Sequence, residues 1–153
     1  MRVKIRPGSK RARAGKQRGQ SLIEFTFVMP ILLILTTGLV SFGLALHNFL
    51  VLTNAVNTGA QLLSISRGQT TDPCATAYTA ISSAAPGLTS GLSLTFVING
   101  STYAAATSCT AGAANMVQGA SAQITATYPC ILSVVGMSPS SCQLQTQTTE
   151  FIQ

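Results

Sequence analysis

The chain has 153 residues and a formal net charge of +6, yet only 8% of its residues are charged and 46% are hydrophobic. A soluble domain carries about 25% charged residues, so neither a disordered tail nor an ordinary cytosolic domain fits. Eight of the nine basic residues precede residue 19, and beyond Gly19 a single Arg67 faces Glu24, Asp72 and Glu150, which places the positive charge in a leader and excludes a basic nucleic-acid-reading domain.

The leader, residues 1–18, has no acid and no apolar pattern and contains Pro7, Gly8 and Gly15; it reads as a flexible, solvated arm. From Phe25 to Leu46 follow 22 residues without a charge. At ~1.5 Å per residue they reach about 33 Å, enough to cross a hydrocarbon core of ~30 Å. The run exceeds the roughly 7–15 apolar residues of a secretory signal, and no A-x-A site follows it. Basic residues stay on the cytoplasmic side, so the span is expected to run N-in, C-out; a buried core helix is the alternative reading. Pro30, Gly38 and Gly43 interrupt the run, which lipid tolerates where neighbouring helices or Ser/Thr side chains satisfy the backbone. Gly38, Ser41, Phe42 and Ala45 form a small-residue stripe at helical spacing, suited to a close helix neighbour or simply part of an ordinary anchor.

Helical periodicity continues beyond the span. Leu52, Ala55, Val56, Gly59, Ala60 and Leu63 fall on one face, opposite Asn54, Asn57, Thr58 and Gln61. Gly68 is the expected stop. One helix from about Ser21 to Ser66 would be roughly 68 Å long, and its apolar stripe must pack against the exported part or a partner.

Residues 69–153 read as a small α+β unit. Asp72-Pro73 is a helix start, Asp72 as N-cap and Pro73 in the first position, and that helix takes in Tyr78 and Ile81 and ends near Pro86-Gly87. Leu92, Leu94, Phe96 and Ile98 then alternate with Ser93, Thr95 and Val97 up to Asn99-Gly100, a strong hairpin signal that pairs Ile98 with Ser101 and Phe96 with Tyr103. Asn99-Gly100-Ser101 is also a glycosylation sequon, but the turn already explains it. A strand through Ala122, Ile124, Ala126 and Tyr128 stops at Pro129, and a weakly alternating one runs from Gln143 to Phe151. No charge occurs between Pro73 and Thr149.

Cys74, Cys109, Cys130 and Cys142 all lie beyond the span. An even count in a small exported module argues for two disulfides, and their spacings fit no zinc pattern. Of the three possible connectivities, Cys74–Cys109 with Cys130–Cys142 is expected. The second pair brackets an apolar loop, Ile131 to Ser141, between two strands that are expected to pair. The lone His47 lies in or beside the membrane and the three acids are scattered. No GxGxxG, Walker, HExxH or CxxC motif occurs. The chain is therefore expected to be no enzyme and to hold neither metal nor cofactor.

Between leader and span stands Gly19-Gln20-Ser21-Leu22-Ile23-Glu24-Phe25. Ser21-x-x-Glu24 fits a capping box with Ser21 as N-cap, and the Glu24 charge suits the positive helix end. A carboxylate near the membrane edge is also costly and often functional; a free amino terminus on a neighbouring subunit would serve as its partner.

Gly19 followed by Glu24-Phe25, with a basic leader before and an apolar helix after, resembles a type IV prepilin processing site. The longer string from Arg18-Gly19-Gln20 through Glu24-Phe25 to Met29-Pro30 resembles the TadE-like minor pilins (pseudopilins) of tight-adherence pilus systems. Thr53-Asn54-Ala55 through Gly59-Ala60 resembles the small-residue stretch that follows the span in that family. Thr125–Pro129 with Gln143–Thr149 resembles its closing β-hairpin. Gln61 and Leu62 depart from the pattern, standing where many members carry a basic residue.

The resemblance implies cleavage by a prepilin peptidase between Gly19 and Gln20, an assembly role for Glu24 and Phe25, and Pro30 and Gly38 as features of the helix. It also implies other pilins, pilus-assembly proteins and the membrane as partners, with no nucleic acid. The expected organisation is a cleaved cytoplasmic leader (1–19), a transmembrane and extended amphipathic helix (20–67) and an exported α+β domain (68–153). Together these make a single-pass protein of the bacterial inner membrane, its C-terminal domain periplasmic or extracellular, processed and taking part in assembly of a tight-adherence pilus or related secretion apparatus. The rival readings are an uncleaved single-span binding or adhesin domain and a major filament subunit.

Overall fold

The computed structural model describes residues 18–130 and 142–153, with side chains from Ser21 onward. The leader up to residue 17 and the apolar loop Ile131 to Ser141 lie outside the described residues. Helix α1 (Arg18–Ile65) is followed by α2 (Pro73–Ala84), β1 (Ser93–Ile98), β2 (Ser101–Tyr103), β3 (Ser121–Pro129) and β4 (Gln143–Phe151), with short 3-10 turns at Pro86–Leu88 and Thr110–Asn115. The fold class is α+β: a long apolar N-terminal helix and a four-stranded antiparallel sheet in the order β2-β1-β3-β4.

α1 starts earlier than the Ser21 cap implies. With Arg18, Gly19 and Gln20 already helical and no acid in the first turn, Ser21 cannot be the N-cap and the Ser21/Glu24 capping box does not form. Arg and Gln are good helix formers and one Gly costs only about 1 kcal/mol, so nothing at residues 18–20 breaks the helix. At the other end α1 stops at Ile65, one residue before the expected limit, and Gly68 follows with φ +71°.

The apolar stripe packs against the chain's own C-terminal part. Leu52, Ala55, Val56, Ala60 and Leu63 are fully buried with Ala77 and Ile81 of α2 and Leu94, Phe96, Ile98, Ala122, Ile124 and Ala126 of the sheet. Gly59 lets α2 come close: a Cβ there would lie 2.7 Å from Ile81 Cδ1 and closer still to its Cγ1. β4 crosses α1 on polar positions. Thr148 Oγ1 donates to Asn57 Oδ1 at 2.6 Å, Thr53 Oγ1 to Thr146 Oγ1 at 3.4 Å, and the Gln153 N–H reaches the Ser64 carbonyl at 3.0 Å.

The hairpin register pairs Ile98 with Ser101 and Phe96 with Tyr103. Asn99 (φ +47°) and Gly100 (φ +80°) both take the left-handed conformation that a two-residue turn of matching twist requires. Disulfides join Cys74 to Cys109 and Cys130 to Cys142, the two links expected from the sequence.

Asp72 caps α2 and also ties down the first disulfide. Its Oδ1 accepts from the N–H groups of Ala75 (3.0 Å) and Cys109 (2.8 Å), and the Ser108 hydroxyl donates to Oδ2. Burial alone would raise the carboxyl pKa. The Cys109 N–H, the Ser108 hydroxyl and the N–H groups of Ala75 and Cys74 outweigh it and hold the group below its ordinary value. A pKa lowered by folding means that ionised Asp72 adds stability at pH values above the ordinary carboxylate range, and that this stability fades as pH falls through the folded pKa. Asp72→Ala should therefore lower stability at neutral pH by about 1–2 kcal/mol. The gap between wild type and Asp72→Ala should close on acidification below about pH 4. Melting curves of both proteins across that range check it; a gap independent of pH would refute the charge role.

Candidate functional site

The candidate site is the outer surface of α1, whose first three turns carry the residues singled out above. Between Ser21 and Leu50 the only charged residue is Glu24, with His47 near the far end. The apolar side chains here point outward all round the helix: Leu22, Phe25, Phe27, Ile31, Leu33, Leu35, Leu39, Phe42 and Leu44 are all exposed, Phe25 by 61%. A helix hydrophobic on every side and covered by nothing else among the described residues suits lipid. It is the one described helix long and apolar enough to cross a membrane, with mean hydropathy 2.2 over its most apolar stretch and none of that stretch buried.

The threonine hydroxyls in this stretch are satisfied internally. Thr26 donates to the Leu22 carbonyl at 2.8 Å, Thr36 to Leu32 at 2.9 Å and Thr37 to Leu33 at 2.8 Å, so these groups bring no unmet polarity into hydrocarbon. Pro30 sits inside the helix and has no N–H to offer the carbonyl one turn back.

The structure places Gly19 and Gln20 in the first turn of α1, with Glu24 and Phe25 one turn further on and exposed. Gln20 and Glu24, four apart, share one helix face. Among the described residues Glu24 makes no ion pair, and its side chain lies outside the first turn. Gly38 is open, with nothing near the position of a Cβ. The four cysteines lie in the C-terminal part, away from Glu24; His/Cys/Asp/Glu clusters able to hold a metal are absent among the described residues.

The sequence reading missed one feature. Phe42, Ala45, Leu46 and Phe49 of α1 face Cys130, Cys142 and Leu144 across an apolar groove of about 200 Å³. The i, i+3, i+4, i+7 spacing of the four helix residues was a visible signal for it, since it marks one face that continues beyond the span.

Residues 19–61 match the family model described as TadE-like protein. No curated protein and no solved structure matches the chain. The matched segment begins at Gly19, takes in Glu24, Phe25, Pro30 and the whole apolar run, and ends at exposed Gln61, beside the buried Ala60 of the stripe that packs against the sheet. It supports, in general terms, a minor pilin associated with a tight-adherence pilus.

Proposed function

We propose that the chain is made as a precursor in the bacterial inner membrane, with its leader in the cytoplasm, and that a prepilin peptidase cuts it between Gly19 and Gln20. The mature protein takes part, as a minor pilin and not as an enzyme, in assembling a tight-adherence pilus or related secretion apparatus. The observation that carries this reading is the lone carboxylate of Glu24, five residues beyond Gly19, at the start of a helix that is apolar on all sides and matches the TadE-like model. A peptidase in the membrane needs its scissile bond at the polar edge of the span, where the Gly19–Gln20 bond lies. Cutting there removes all eight leader charges and leaves the cationic amino terminus of Gln20 as a partner for Glu24 of a neighbouring subunit. In poorly screened surroundings such a pair is stronger than at a protein surface.

The mass of the amino terminus purified from native membranes should correspond to a chain starting at Gln20, and Gly19→Val should leave the leader in place. Glu24→Gln should still insert and be cut but should lose pilus yield and co-purification with other pilins, with Glu24→Asp intermediate. As a dipole-scale effect alone, the loss of charge is worth only about 0.3–1 kcal/mol. Met1 on the protein in native membranes with the peptidase present would return the reading to an uncleaved anchored domain. Full assembly by Glu24→Gln would remove the assembly role of its charge.

A further inference from the structure

We infer that the groove between Phe42–Phe49 and the Cys130–Cys142 end of the sheet is occupied by lipid acyl chains, so that the exported domain rests directly on the outer face of the bilayer. The inference builds on the membrane-spanning reading of α1 and adds a second lipid contact, made by the sheet.

The depth follows from helix geometry. If the hydrocarbon begins after Glu24, a core of ~30 Å takes up about 20 residues at ~1.5 Å each and ends near Leu44 or Ala45. His47 and Asn48 are the first neighbouring polar residues after that point. The helix wall of the groove, Phe42, Ala45, Leu46 and Phe49, therefore straddles the boundary between acyl chains and headgroups.

The other wall belongs to the sheet. Cys130 and Cys142, joined by their disulfide, and Leu144 lie level with those helix residues. No linker intervenes, because α1 continues unbroken to Ile65 and is bonded to β4 through Thr53, Asn57 and Ser64. The end of the sheet is thus held at the height where hydrocarbon stops.

The lining names the occupant. Every described side chain lining it is apolar or a disulfide, and the helix wall is continuous with the lipid-facing surface below it. A groove of this kind offers water no hydrogen-bond partner, whereas an acyl chain at that depth needs none. None of the groove's described lining residues is charged, so the contact needs no charged headgroup and forms on a neutral bilayer.

The chain contains no tryptophan, which makes a single introduced Trp an unambiguous probe. The full chain is reconstituted in phosphatidylcholine vesicles with ordinary or acyl-brominated lipid. Leu144→Trp should lose most of its emission in the brominated vesicles. Val117→Trp should keep its emission: it lies beside Arg67, which reaches Gln118 at 3.5 Å, at the end of α1 that is about 24 Å beyond Phe49. Leu33→Trp, in mid-span, reports on the span itself. Phe49→Trp replaces Leu144→Trp should the latter fail to fold.

Quenching at Leu33→Trp without quenching at Leu144→Trp overturns the inference and leaves the span reading intact. No quenching at either position overturns both. Quenching at Val117→Trp as well means that the domain lies flat on the bilayer, and overturns the proposed orientation. Emission from Leu144→Trp that escapes bromine and varies with the protein-to-lipid ratio means that a second copy fills the groove, which also overturns the inference.

Discussion

Phe96→Ala should unfold the C-terminal domain or bring it to the edge of unfolding. Phe96 is the largest of the fully buried side chains, fixed in the sheet opposite Ile124 on β3 and Tyr103 on β2 and packed in one core with Leu52 and Ile81. Truncating a buried Phe costs about 3–5 kcal/mol, the transfer of the ring plus the cavity it leaves. At ~0.05–0.15 kcal/mol per residue a domain of this size has a total stability of the order of 4–13 kcal/mol, so one substitution removes about a quarter of it or more. Phe151, 66% exposed on β4, is the internal control: Phe151→Ala should stay within about 0.5 kcal/mol of wild type. Urea unfolding of the detergent-solubilised proteins, followed by circular dichroism, measures both. A midpoint for Phe96→Ala equal to that of Phe151→Ala would mean that the core does not close around Phe96.

Removing the Cys74–Cys109 bridge should be the next most damaging change, and worse than removing Cys130–Cys142. The two cysteines are 35 residues apart in sequence and the other pair 12. In the chain-entropy model these loops correspond to about 4 and about 3 kcal/mol. The first bridge also sits at a junction. The Cys74 N–H donates to Cys109 Sγ at 3.2 Å, the Cys109 N–H is held by Asp72, and Gly112 comes so close that a Cβ would lie 2.9 Å from that sulfur. Losing it frees the start of α2 and the 3-10 turn together, whereas the second bridge only closes the open end of a hairpin already paired over nine positions. Unfolding midpoints of the Cys74→Ser/Cys109→Ser and Cys130→Ser/Cys142→Ser proteins should fall in that order. The reverse order would show that the loop between β3 and β4 matters more to the fold than the α2 corner.

Much of this architecture is legible in the residues because simple forces set it. The 3.6-residue spacing from Leu52 to Leu63 marks the buried face of α1, and Asn99-Gly100 sets the register of β1 and β2. The alternation from Ala122 to Tyr128 picks out the central strand, and Asp72-Pro73 marks the start of α2. β4 is harder to see because its inward positions include Thr146 and Thr148, which meet Thr53 and Asn57 through hydrogen bonds; a hydrophobic pattern cannot register a polar contact.

The 3-10 turn at Thr110–Asn115 has no period of its own and is shaped by the disulfide and by Gly112. The capping box at Ser21 misled because capping needs the chain to leave the helix there, and residues 18–20 have no reason to. As for the candidate site, the position of Glu24 on a bare apolar helix is readable from the sequence. Of the groove at Phe42–Phe49 only the helix wall is readable, since its second wall comes from residues some 80–100 positions away in sequence.

The unbroken passage of α1 from the apolar span into the core of the C-terminal domain leaves no swivel between anchor and head. At ~3.6 residues per turn and ~1.5 Å per residue, one residue inserted between Leu46 and Leu52 would turn the whole sheet by about 100° and raise it by about 1.5 Å, with every internal contact of the domain intact. Any rotation of the span about its own axis carries the sheet through the same angle. Whatever grips the anchor therefore also sets the compass bearing of the domain above it.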